Sequence, residues 1–305
     1  MGPKSRKPIL ISSIALTLAA VLILLAPMPI AWARKAKNEC RVAVLMFHSI
    51  IPDSMSPSRY AMRESDFVSQ IEEAKARGTT FFDVDRLLEF IGPADRTPWD
   101  GPAVCPYENG ALLLTFDMDG ASYHAETMVK HLERWDVPAL FFVPTRFIDQ
   151  GQAVGSEEIR RLADKGATFG SHTEWHRDMR TVEPHELLES LASSRASLQS
   201  LTDQDIRTVA APGGRYDDEV IETVRQAGFR SFFNSDPCYL EAGSSPFRIC
   251  RVEIRGDRGI TAIEALNVPG RVAKQQTAFR LKRSIERLLG PTGWRMLSTV
   301  RTAFQ

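Results

Sequence analysis

Cysteine is scarce in this chain: four residues among 305, with no C-x-x-C pair among them. That removes the usual spacing of a thiolate zinc site. Net charge is absent too, 38 Lys and Arg balancing 38 Asp and Glu, so overall electrostatics favour neither nucleic acid nor an acidic polymer. There is no internal repeat, no low-complexity tract, and no histidine after His185. What remains is ordinary globular material, 43% hydrophobic and 25% charged, long enough for one large α/β domain or two small ones.

Long hydrophobic runs are missing everywhere but at the start. Lys4, Arg6 and Lys7 precede a stretch with no charge between Pro8 and Ala33, closed by "AWA" and then Arg34 and Lys35. Residues 1–33 therefore read as a cleaved signal peptide or an uncleaved membrane anchor, and both alternatives stay open. Either one puts the rest of the chain outside the cytoplasm, in the periplasm or at the cell surface. Disulfides persist there, and the expected pairs are Cys238 with Cys250 and Cys40 with Cys105. At the other end, residues 271–305 carry Arg271, Lys274, Arg280, Lys282, Arg283, Arg287, Arg295 and Arg301 against the single acid Glu286. This tail reads as a basic amphipathic helix, lying on an anionic membrane or packed on the domain.

Between the ends, apolar strands alternate with amphipathic helices. Strands are expected at 41–48, 111–117, 139–143, 167–170, 206–211, 229–233 and 248–254. Helices are expected at 66–78, about 122–135, 156–166 with Ser156 as N-cap, about 183–201, and 217–228. Residues 92–110 read as a loop or insertion. Continuous apolar strands imply a parallel sheet covered on both faces, and about seven of them in one repeating order with helices suit a (β/α) barrel over residues 40–265 better than an open sheet. In such a barrel the chemistry lies at the strands' C-terminal ends.

Those ends deliver His48, then Asp117 and Asp119, then Ser171, His172, Thr173 and His176, then Pro212, Gly213, Gly214 and Arg215, and finally Asn234 and Asp236. Two acids beside a glycine are usually a turn, and an isolated H-x-x-x-H is usually an accidental surface pair. Their convergence on one end of one barrel argues otherwise, since loop polarity alone would scatter them. His172 and His176 are four apart, so one helical turn would put both imidazoles on one face. With one carboxylate they form a facial site that leaves positions open for water and substrate.

The segments "TFDMDG", "SHTEWH", "APGGRY" and, more weakly, "VLMFHSI" and "NSDP" resemble the polysaccharide deacetylases, the NodB-homology or carbohydrate esterase family 4 group. The resemblance covers about residues 41–255. It implies a distorted barrel of about seven strands that removes N-acetyl groups from amino sugars using a divalent metal. It assigns Asp119, His172 and His176 as metal ligands, with zinc first and cobalt or nickel as alternatives, and Asp117 as catalytic base. The usual motif has adjacent acids; here Met118 separates them, and a fully alternating strand would still put both on one side. Backbone N–H groups of Gly213 or Gly214 would meet a developing oxyanion, and Arg215 would orient Asp117 by ion pairing. His48, Pro212, Gly214 and Asp236 are the expected substrate-facing positions. The family's late Leu-x-His segment, whose histidine protonates the leaving amine, is absent. "RICRVEI" brings Arg248 and Arg251 to that region, and His48, His124 or water is left to supply the proton. The expected partner is an N-acetylated envelope or exported polysaccharide, with no nucleic acid. The alternatives are hydrolysis of another C–N bond, in peptidoglycan or a cyclic amide, and a catalytically silent carbohydrate-binding barrel.

Overall fold

The computed structural model describes residues 41–92, 107–119, 125–151, 153–257 and 259–302. The N-terminal segment, Cys40, Cys105, His124 and most of the 92–110 loop lie outside the described residues. Ten strands are present among them: β1 (Val42–Phe47), β2 (Ser49–Ile51), β3 (Ala61–Arg63), β4 (Thr80–Phe81), β5 (Ala111–Asp117), β6 (Ala139–Val143), β7 (Thr168–Ser171), β8 (Thr208–Ala210), β9 (Ser231–Phe233) and β10 (Val252–Glu253). The helices are α1 (Glu64–Ala76), α2 (Val84–Ile91), α3 (Ala125–Trp135), α4 (Ser156–Asp164), α5 (Pro184–Thr202), α6 (Asp218–Gln226), α7 (Ala262–Asn267) and α8 (Pro269–Thr302).

The main sheet runs β10-β1-β5-β6-β7-β8-β9, every pairing parallel, with β4 added to the first half of β5. A parallel bridge between Phe233 and Ile249 links β9 to the segment entering β10, so the curled sheet comes round on itself. This is the expected seven-membered barrel. Expected strand 248–254 is shorter than its apolar run: only Val252–Glu253 pairs as a strand, and Ile249 makes a single bridge. Helix α2 was not expected, and neither were short β2, β3 and β4, whose two or three residues carry too little periodicity to register. The cap of α4 is Gly155 and not Ser156, since Asp149 Oδ1 accepts the Ser156 N–H at 2.8 Å and draws that residue into the first turn. Among the described residues no helix is long and apolar enough to cross a membrane.

Strand alternation divides the core in two. Leu112, Leu114 and Phe116 of β5 pack outward with Phe67, Leu132 and Ile159 of the surrounding helices. Leu113 joins Val42, Val44, Leu140, Phe142 and Phe233 inside the barrel, closed at one end by Val84, Leu87 and Ile91 of α2. Period-two geometry then puts Thr115 and Asp117 on the same inner face as Leu113. Gly170 of β7 is small for a related reason: a Cβ there would come within 2.7 Å of the Phe142 ring.

Candidate active site

Asp117 ends β5 with its carboxylate only 5% exposed, and a fully buried arginine meets it. Arg251 donates from Nη1 to Oδ1 at 2.6 Å and from Nη2 to Oδ2 at 2.9 Å. Its Nε donates to the Asn234 carbonyl at 2.8 Å, and Nη1 also reaches Thr115 Oγ1 at 3.4 Å. The guanidinium packs over the Phe142 ring. Such a fork fixes both carboxylate oxygens in one plane. Burial pushes the Asp117 carboxyl upward, but the Arg251 guanidinium and its hydrogen bonds, with the His172 and His48 imidazoles close by, outweigh it, leaving the group below the usual carboxylate range.

Met118 donates its N–H to Phe142 O at 2.9 Å, continuing the strand register for one more residue. Its side chain belongs to the outer, helix-facing layer of the core. The chain therefore turns Met118 away and brings Asp119 back to the side of Asp117.

His172 follows β7 and is buried. Its Nδ1 lies 2.9 Å from the Ala210 carbonyl, which can only accept, so Nδ1 carries the proton and Nε2 presents a lone pair. Burial, assisted by neighbouring His176, lowers its pKa to about 4 against the opposing pull of Asp117 and Asp119, so the ring is neutral at physiological pH. His176 Nε2 lies 3.1 Å from Asp119 Oδ2 yet is buried with no hydrogen-bond partner. The two imidazoles are 4.9 Å apart, and the ligand atoms of Asp119, His172 and His176 all lie within 4.8 Å of one another. Burial acts to raise the Asp119 pKa, but contact with His176 and the nearby His172 and His48 hold it at about 2. Two imidazole lone pairs and one ionised carboxylate converging on one point, one imidazole nitrogen otherwise orphaned, fit a divalent cation.

The helical turn expected to join the two histidines is not there: residues 172–178 contain no helix. Thr173 and His176 instead adopt left-handed backbone, at φ 64° and 53°. Hydrogen bonds from the Thr173 N–H to Ser171 Oγ and from the His176 N–H to Thr173 Oγ1 hold the loop in that shape. Non-glycine residues in this region carry strain that a functional loop retains.

Residues 106–232 match the family model for polysaccharide deacetylase. Over that segment the chain is similar to the polysaccharide deacetylases. It is a hydrolase acting on carbon–nitrogen bonds. The chitooligosaccharide deacetylase of Bradyrhizobium sp. (strain ANU 289) is 29% identical over 119 residues, 39% of this chain and 52% of that one, so the match spans about half of that relative. Among solved structures, Streptococcus pyogenes deacetylase PplD, in complex with acetate, superposes with a TM-score of 0.62 at 16% identity, over 77% of this chain and 99% of that one. IcaB from Ammonifex degensii gives a TM-score of 0.61 at 21% identity, over 77% and 98%. At these identities the structures establish a shared fold.

In this chain the expected residues are distributed as follows. Asp117, Asp119, His172 and His176 converge. His48 follows β1, close enough to act electrostatically on both acids, with Nδ1 buried and unpartnered and its ring 4.7 Å from that of Tyr60. Pro212–Gly214 form a single 3-10 turn with Pro212 buried and Gly213 exposed. The Gly214 N–H donates to Ala211 O at 2.8 Å, which removes it as an oxyanion donor. Arg215 does not reach Asp117: its guanidinium lies 3.5 Å from both Asp178 and Glu286, because it follows the turn and points outward from the barrel. The role foreseen for it belongs to Arg251, which enters from the far side of the ring. Asp236 accepts from Tyr216 Oη at 2.9 Å and faces Arg283 of α8 at 3.6 Å, so protein groups already engage it. The sequence places Arg251 in the "RICRVEI" segment without indicating its role. The available signal was an arginine flanked by Ile249, Cys250 and Val252, since a charge inside a buried apolar run needs a partner.

Proposed function

We propose that this chain removes N-acetyl groups from amino sugars of an envelope or exported polysaccharide, with Asp117 as base and Asp119, His172 and His176 holding a divalent metal, zinc before cobalt or nickel. The observation that carries the reading is the division of labour between the two acids. Asp117 has both oxygens committed to Arg251 inside the barrel, whereas Asp119 stands with the histidines at the mouth. When bound, a dication at that triad lowers the pKa of coordinated water and polarises an amide carbonyl.

The chain's own residues account for the rest. Arg251 keeps Asp117 ionised, ready to accept a proton from attacking water. The Ala210 carbonyl holds His172 in the tautomer that aims Nε2 at the mouth. With the Gly214 N–H spent, the exposed Gly213 is the donor left in the turn, and no atom lies within 4 Å of where its Cβ would be, so substrate can approach its backbone. His48 supplies the proton to the leaving amine, the late histidine of the family being absent from this chain. The Cys238–Cys250 disulfide and the apolar N-terminal segment both support a site of action outside the cytoplasm, next to the membrane.

The test is acetate release from β-1,4- and β-1,6-linked N-acetylglucosamine oligomers by the purified protein supplied with zinc, cobalt or nickel. Release should vanish with chelator, in Asp117→Asn and in His172→Ala. Tight glycan binding with no acetate, unchanged by Asp117→Asn, would sink the proposal in favour of a silent carbohydrate-binding barrel.

A further inference from the structure

Helix α8 has two unlike faces. One is satisfied by the barrel: Val272 is buried, Gln275 Nε2 donates to Glu253 O, Arg283 donates to Gly214 O at 3.1 Å, and Glu286 faces Arg215. The opposite face carries Leu281, Ile285 and Leu288 at i, i+4 and i+7, exposed by 61%, 36% and 85%. Among the described residues none of the three belongs to either buried apolar cluster or packs against one. Lys274, one heptad before Leu281, and Arg280 at its flank are exposed with it. The single acid of residues 271–305, Glu286, is turned inward and is 12% exposed. The outward surface is therefore an apolar stripe bordered by cations with no acid to offset them.

We infer that α8 is a membrane-docking helix that lies in the plane of an anionic bilayer surface, its Leu281–Ile285–Leu288 stripe entering the headgroup boundary. Charge selects this occupant. A second copy of the chain would bring an equally basic face against this one, which is repulsive. An anionic surface attracts each Lys or Arg by about 1 kcal/mol, equivalent to about fivefold in the ratio of docked to undocked helix. The apolar residues supply the remainder by leaving water. The inference is independent of the reaction. It has a consequence for placement, however, because Arg283 ties the same helix to the Pro212–Gly214 turn. A docked α8 would hold the mouth of the barrel at a fixed orientation to the surface.

The N-terminal segment prevents simple vesicle pelleting from deciding the matter, so the probe must report on α8 alone. The full chain and its Leu288→Trp variant are reconstituted in vesicles of phosphatidylglycerol or phosphatidylcholine containing brominated lipid. Leu288 is exposed enough for the larger indole to be accommodated, and unchanged acetate release or far-UV circular dichroism checks the fold. Quenching in excess of the parent is expected in phosphatidylglycerol and not in phosphatidylcholine. It should fall by about 25-fold in docked-to-undocked ratio when Lys274→Gln and Arg280→Gln are added together. Three results would overturn the inference: no excess quenching in either lipid, equal quenching in both, or a blue-shifted emission specific to the Leu288→Trp variant that lipid does not quench, which would mean a protein partner covers the stripe.

Discussion

Replacing Arg251 by leucine removes the only guanidinium that meets Asp117 among the described residues, and the consequences can be worked through in sign and size. Four polar contacts disappear: two to Asp117, one to the Asn234 carbonyl and one to Thr115. The carboxylate is left 5% exposed with no guanidinium against it. Breaking a buried ion pair from one side costs about 3–5 kcal/mol, a large part of the roughly 5–15 kcal/mol that holds a domain folded. The pH dependence identifies the cause. In the parent the Asp117 pKa lies below 3.8, so the carboxylate contributes stability present above that value and lost as pH falls. Without Arg251 the burial effect is unopposed by its main counterweight, the pKa rises above 3.8, and ionisation becomes a penalty that grows as pH rises. Urea unfolding of metal-free protein from pH 4 to pH 8 should show the variant's deficit largest at neutral pH and shrinking toward pH 4. Adding Asp117→Leu should recover most of the deficit, because two apolar side chains do not strand a charge. A deficit below about 1 kcal/mol at pH 7, or one that grows on acidification, would refute the assignment of Arg251 as the residue that positions and ionises Asp117.

Other outcomes follow from the same geometry. His172 has a folded pKa of about 4 against 6.5 for the free side chain, so metal-free protein should lose about 3 kcal/mol between pH 6.5 and pH 4 on this account, a loss His172→Gln should reduce in equilibrium unfolding curves. Gly213 and Gly214 both have positive φ, 62° and 67°, but only Gly214 is crowded: a methyl there would lie 2.9 Å from Ser235 N and closer still to its side chain. Gly213→Ala should therefore cost about 1–2 kcal/mol of stability, whereas Gly214→Ala should cost more and displace the turn, lowering kcat for acetate release while metal content, read by atomic absorption, stays at the parent level. The Cys238–Cys250 bridge closes the segment that delivers Arg251. Replacing both cysteines by serine should cost about 3 kcal/mol in urea unfolding and partly reproduce the Arg251→Leu pH profile; full parental stability would show that the bridge contributes nothing.

Elements with strong periodicity, and the residue types of the chemistry, are legible in the chain before it folds. Strands β5 and β6 have the expected limits, and the (β/α)7 alternation was visible, because strands buried on both faces read as unbroken apolar runs. Asp117, Asp119, His172 and His176 were recognisable because polar side chains at successive strand ends stand out against that apolar background. How they are held depends on long-range packing. The two histidines meet through left-handed residues and not through a helical turn, which spacing cannot distinguish. Met118 separates the acids harmlessly because one further residue keeps strand register, a matter of the Phe142 carbonyl across the sheet. Above all, Arg251 and not Arg215 meets Asp117, though they lie 134 and 98 positions away in the chain. Which arginine faces the acid depends on how β10 and β9 curl the sheet round on itself, and that closure is a property of the whole barrel.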